Sequence, residues 1–118
     1  MLHDPIFLLI ALISCHLYFD YSGQGQFMSD AKNPYKPIPG VPAKLVMASH
    51  CFIHAAYVTF LTGYVALGVI EYCTHFVIDT TKCHGDISFK TDQYLHIGLK
   101  IFYVILVMIA THHIEVTS

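Results

Sequence analysis

Arginine is absent from this 118-residue chain: all six basic residues other than histidine are lysine. Without guanidinium groups the chain lacks the flat, two-pronged donor that grips phosphates, and no basic face appears. A nucleic-acid binder is therefore excluded. Charge of either sign is scarce, at 12% of residues against the ~25% usual in soluble domains. A soluble helical bundle needs a charged outer face. The stretch 45–61 and the stretch IFYVILVMIAT (101–111) have no lysine, aspartate or glutamate at all. Paired cysteines at C-x-x-C spacing are also missing. Of Cys15, Cys51, Cys73 and Cys83, the first three lie in apolar runs. They read as small buried hydrophobes rather than a disulfide frame or a zinc knuckle. Lysine and arginine are absent from the opening MLHD. Although Leu12-Ile13-Ser14-Cys15 fits a lipoprotein cleavage pattern, the segment is read as a retained membrane helix. No internal repeat or low-complexity tract is evident.

What the chain has is apolar sequence, 55% of residues, gathered into four segments. They run over about 5–21, 43–61, 64–80 and 92–112, each near the ~17–25 residues that span a bilayer as a helix. A polar loop over 22–42 holds four of the five prolines. Thr62-Gly63 marks a tight connection, and TTKCHGDISFKT links the last two segments. The expectation is an all-α, single-domain protein over 1–118: an integral membrane four-helix bundle with antiparallel, up-and-down topology. Lys32, Lys36 and Lys44 fall in or beside the first loop, and Lys82 and Lys90 in the third. These loops share one side, which the positive-inside rule makes cytoplasmic. Both termini then lie on the non-cytoplasmic side.

Polar residues interrupt the segments in a pattern. His16 and Asp20 close segment one, and His50 and His54 occupy the first half of segment two. Glu71, His75 and Asp79 occupy the second half of segment three; Asp92, His96 and Lys100 open segment four. Every spacing is i, i+4, which puts each set on one face of its helix. In an up-and-down bundle all four sets fall in the cytoplasmic half, with His54 expected deepest. Ionisable groups inside a membrane cost roughly 2.5–3.5 kcal/mol or more when unpaired, so they mark functional sites by default.

Imidazole and carboxylate without thiolate suit zinc first, and also iron or manganese. His16, Asp20, His50, His54, His75, Asp79 and His96 are the candidate metal ligands, and a divalent transition metal is the expected cofactor. Glu71, Asp92 and Lys82 are candidate catalytic residues: the carboxylates as proton acceptors, the lysine as a holder of an anionic substrate group. Lys100 and Gln24 are further candidates for that last task. Glu71 also reads as a ligand or as the partner of Lys100. The bland reading of the same residues is a hydrogen-bonded polar glue between helices. His3, His84, His112 and His113 fall at termini or in loops and are expected to be solvated. Tyrosines and phenylalanines are expected to face lipid or pack.

The pieces HLYFDYSGQ (His16, Asp20, Gln24), His50-x-x-x-His54, HFVIDTTK (His75, Asp79, Lys82) and DQYLH (Asp92, Gln93, His96) resemble those of a family of small bacterial and phage membrane proteins. That family is known as a domain of unknown function. The likeness covers roughly residues 6–105, with Tyr21 where phenylalanine is expected. The motifs are similar in style to small membrane proteins described by inference as metal-dependent hydrolases. The resemblance implies a bacterial inner-membrane protein of bacterial or phage origin.

The function expected from these readings is metal-dependent hydrolysis of a lipid or lipid-linked substrate at the cytoplasmic headgroups. Two alternatives stand beside it. One is proton or divalent-ion transport, which would need a homo-oligomer. The other is a metal-stabilised interaction protein that docks a host membrane protein through the loop over 22–42.

Overall fold

The computed structural model describes residues 4–118 and is all-α. His3 lies outside the described residues. Five helices follow in order: α1 (Pro5–Asp20), α2 (Gly25–Ala31), α3 (Ala43–Thr62), α4 (Val65–His84) and α5 (Phe89–Thr117).

Local chemistry sets the helix ends. Asp4 caps α1 by accepting from the backbone N–H groups of Ile6 and Phe7, and Pro5 sits in the first turn, where its missing N–H costs nothing. Ser88 caps α5 through the Thr91 N–H. Asp92 lies in the first turn of α5, where the helix dipole favours a negative charge. Gly63 and Gly85, at φ 77° and 94°, end α3 and α4 in the left-handed conformation that glycine adopts without strain. The Thr62-Gly63 connection is thus where the sequence placed it. The loop over 22–42 contains α2, which is bent 80° from α1.

The four long helices pack around one axis: α1 and α4 each touch both α3 and α5. The axis has two halves of opposite character. Leu8, Leu12, Val58, Leu67, Tyr103 and Val104 form the apolar core at one end. At the other end, where α1 and α4 finish and α3 and α5 begin, His16, Asp20, His50, His54, His75, Asp79, Asp92 and His96 are all buried.

Polarity is inverted relative to a water-soluble bundle. Among the described residues, 13 buried side chains are polar or charged, more than the 10 that are hydrophobic. Large apolar side chains such as Phe52, Phe60, Val65 and Val77 lie on the outside. By length and composition α3 and α5 can each cross a membrane, and α1 with α2 makes a third candidate if the bent pair is one span. Of the four spans expected, two to three thus have the length and composition of one. Alone, the 16 residues of α1 reach about 24 Å against the ~30 Å of a bilayer core. α4 carries Glu71, His75, Asp79, Lys82 and His84 in its 20 residues, too polar a set for a span judged by hydropathy. α5 begins three residues earlier and ends five later than the apolar run suggests, because its polar first and last turns continue the helix.

Cys51 is buried as expected, but Cys73 is exposed, because it lies on the outward face of α4. His84, His112 and His113 are exposed, as their positions suggested.

Candidate metal centre

Asp20 is the last residue of α1. The carbonyl end of a helix disfavours a carboxylate unless positive charge meets it. What meets it is a ring of histidines. Asp20 Oδ1 lies 3.1 Å from His50 Nε2, 3.0 Å from His54 Nε2 and 3.6 Å from His75 Nε2. The Nε2 atoms of His50 and His75 are 3.1 Å apart. Bonds of ~2.0–2.2 Å meeting at tetrahedral angles put neighbouring ligand atoms ~3.3–3.6 Å apart. Four ligand atoms from three helices thus surround one point at nearly the spacing a tetrahedral metal requires.

The outer contacts agree with that. His75 Nδ1 lies 3.2 Å from Glu71 Oε1. A carboxylate only accepts, so Nδ1 carries the ring proton and Nε2 turns a lone pair inward. His54 Nδ1 is 3.1 Å from the Tyr57 hydroxyl, while its buried Nε2 has no hydrogen-bond partner. Glu71 is itself fixed: Lys100 donates to Oε1 at 2.8 Å and Tyr103 to Oε2 at 2.8 Å. The Glu71–Lys100–Tyr103 layer lies one turn beyond His75, so His54 is not the deepest polar residue.

A second set of groups adjoins the first. Gln93 donates to Oδ2 of Asp20 at 3.1 Å and to Oδ2 of Asp92 at 3.0 Å. Its carbonyl oxygen therefore faces His16 Nε2, 3.0 Å away, and that nitrogen carries the proton. His96 Nε2 is 3.4 Å from Asp92 Oδ1 and 3.8 Å from Asp79 Oδ1. Asp92 Oδ1, His96 Nε2 and His16 Nδ1 have no hydrogen-bond partner, and Asp79 Oδ1 meets only the Lys82 ammonium. Three overlapping groups have the proximity to hold a metal ion: Asp20, His50, His54 and His75; His16, His75 and His96; Asp20, Asp92 and His96.

The family described as protein of unknown function DUF3307 matches residues 8–118. This chain belongs to that family. No curated protein and no solved structure matches it. The DUF3307 match takes in every residue of the buried cluster, and the cluster itself is the one guide to what the chain does.

All seven sequence-predicted ligands of this DUF3307 chain come together in one buried space. Asp92 joins them. Lys82 stands at the rim, 3.2 Å from Asp79 Oδ1 and 3.6 Å from Asp92 Oδ2, with 22% of its side chain exposed. Lys100 is engaged by Glu71 rather than free for an anion. Gln24 donates to the backbone carbonyl of Asp20 and so secures the end of α1.

Four residues of the site were not singled out from the sequence. Lys32, counted as a loop charge, is buried: α2 and the turn after it lay its ammonium 2.6 Å from Asp79 Oδ2 and 3.4 Å from His50 Nε2. Tyr57 and Tyr103, read with the other aromatics as lipid-facing or packing, turn their hydroxyls onto His54 and Glu71. Gln93 was quoted only as part of DQYLH. For the tyrosines a signal was present: Tyr57 lies three residues after His54, and Tyr103 three after Lys100.

Proposed function

We propose that this chain is a multi-pass protein of the bacterial inner membrane whose buried cluster binds a divalent transition metal, zinc before iron or manganese, to hydrolyse a lipid or lipid-linked substrate. The four long helices form an antiparallel, up-and-down bundle in this reading. The observation that carries it is the convergence of Asp20 Oδ1 with the Nε2 atoms of His50, His54 and His75. With its Nδ1 proton turned to Glu71, His75 offers the Nε2 lone pair to the same point as Asp20 Oδ1, and a cation there would draw on both.

The apolar outside of the bundle supports placement in lipid. Lys36, Lys44 and Lys90 remain exposed at the polar end, which supports a cytoplasmic site and termini on the other side. A bound cation of this kind supplies a water whose pKa is lowered to near neutrality. Glu71 orients His75 and fixes its tautomer. Asp92 Oδ1, without a hydrogen-bond partner and 3.4 Å from His96 Nε2, can accept a proton, and Asp79 Oδ1 is held beside it by the Lys82 ammonium. Lys82, the most open of the charged groups, is placed to hold an anionic part of the substrate.

A second reading is a metal that only fastens the helices, and the near-complete burial of the cluster favours it. Transport is less well supported, since Leu8, Leu12, Val58, Leu67 and Val104 close the other half of the bundle. The test is metal content by mass spectrometry of detergent-purified protein, wild type beside His50→Ala/His54→Ala. Bound metal that the variant loses is expected. A folded wild type with no metal would overturn the reading. Turnover of lipid esters or phosphoesters by the metal-loaded protein separates hydrolysis from a fastening role.

A further inference from the structure

The first metal position leaves a set of buried ligand atoms unused. Asp92 Oδ1 and His96 Nε2 have no hydrogen-bond partner, Asp79 Oδ1 meets only the Lys82 ammonium at 3.2 Å, and all three residues are fully buried. An unpaired polar atom in such a place is destabilising, and more so when charged. A chain that keeps two of them side by side, next to a third whose one partner is the rim lysine, has a use for them.

We propose a second divalent-cation site formed by His96, Asp92 and Asp79, sharing Asp20 with the first and binding together with an anionic group of the substrate. The proposal rests on the metal-binding reading above. Asp20 is common to the group with His50, His54 and His75 and to the group with Asp92 and His96. Gln93 donates to the Oδ2 atoms of both Asp20 and Asp92, which joins the two carboxylates and leaves Asp92 Oδ1 without a hydrogen-bond partner, while Asp20 Oδ1 faces the histidines of the first position. The 3.4 Å and 3.8 Å separations from His96 Nε2 suit ligands around one ion. A single cation would leave Asp79 and Asp92 as proton acceptors; a second makes them ligands.

Charge balance gives the substrate class. Asp20, Glu71, Asp79 and Asp92 meet Lys32, Lys82 and Lys100, so the cluster carries one net negative charge with its histidines neutral. One divalent cation reverses that sign, and a second makes a strongly positive buried centre. It is stable only with anions present. Lys82, beside Asp79 and Asp92 at the open rim, marks where such an anion enters. Phosphate or carboxylate on a lipid or a free molecule has this chemistry. By linkage, each of cation and anion tightens the other, by roughly 5–150-fold in typical couplings.

The experiment titrates zinc into the detergent-purified full chain with and without orthophosphate. It then repeats the loading with Mn2+ and reads electron spin resonance. Two zinc ions per chain are expected, the second tightened at least fivefold by phosphate, and Mn2+ should give the spectrum of a spin-coupled pair. Asp92→Asn and His96→Gln should each retain one zinc and show uncoupled Mn2+. The coupling in wild type decides the matter even if the variants misfold. Saturation at one ion, or an uncoupled Mn2+ spectrum at full loading, overturns the second site and leaves the first standing. Zero ions overturns both readings. A second ion indifferent to phosphate removes the anionic substrate.

Discussion

The Nε2 atoms of His50 on α3 and His75 on α4, both buried, lie 3.1 Å apart. With His75 Nδ1 holding its proton toward Glu71, the His75 Nε2 offers a lone pair to the same point as Asp20 Oδ1. The arrangement is stable when a cation fills that point. Metal removal should therefore lower stability as well as any activity. At a free-metal concentration 1,000 times Kd the linkage is worth about 4 kcal/mol. A chelator-treated sample should melt clearly below the loaded one in a thermal scan in detergent, and His50→Ala should show no such difference.

Glu71 is held by His75, Lys100 and Tyr103 together. Glu71→Gln leaves the Lys100 ammonium buried without a counter-charge. Breaking a buried pair on one side costs about 3–5 kcal/mol. Glu71→Gln/Lys100→Met should recover much of that stability. Metal affinity should stay about 10–100-fold lower in both variants, because the group orienting His75 is weakened in each. Denaturant midpoints and metal titrations on the four proteins of the cycle separate the two roles.

Lys32 places one positive charge 3.4 Å from a proposed ligand atom of His50. A unit charge pair at ~4 Å is worth roughly 4 kcal/mol at an effective dielectric of 20. Lys32→Met should therefore move two quantities in opposite directions. The metal-free protein should lose stability, by less than the about 3–5 kcal/mol of a fully unpaired buried charge, since Asp79 keeps Lys82 as its second lysine partner. Metal should bind at least tenfold tighter. A variant that weakens metal binding instead would make Lys32 a support of the loaded site.

These residues also mark how far the sequence could be read. The i, i+4 pairs were legible because a helix repeats its face at that spacing, and the matching ends of the helices followed from the lengths of the connections. Lys32 was not legible: it reaches the cluster through the 80° bend between α1 and α2, and no local periodicity reports such a fold-back. Tyr57 and Tyr103 were half-legible: their spacing of three from His54 and Lys100 sets them beside the polar stripe, but that spacing is the same whether the hydroxyl meets a carboxylate or a headgroup. α4 was taken for a span like the others. Its length suggested that, and Glu71, His75, Asp79 and Lys82 on one face lower its hydropathy below that of α3 and α5.

The membrane reading itself is open to a direct test at Phe52, midway along α3 and 67% exposed. In lipid this side chain lies within the hydrocarbon, and Phe52→Arg should cost roughly 2.5–3.5 kcal/mol for the same reason that arginine is excluded from the middle of spanning helices. On a water-facing surface the same change stays within about 0.5 kcal/mol and improves solubility. Phe52→Leu is the control, because it keeps the site apolar in either setting. Membrane-fraction yield and thermal stability in detergent should fall for the arginine variant and hold for the leucine variant. Equal behaviour of the two would take the bundle out of the bilayer and leave the buried histidines to a protein that hides its apolar face against a partner.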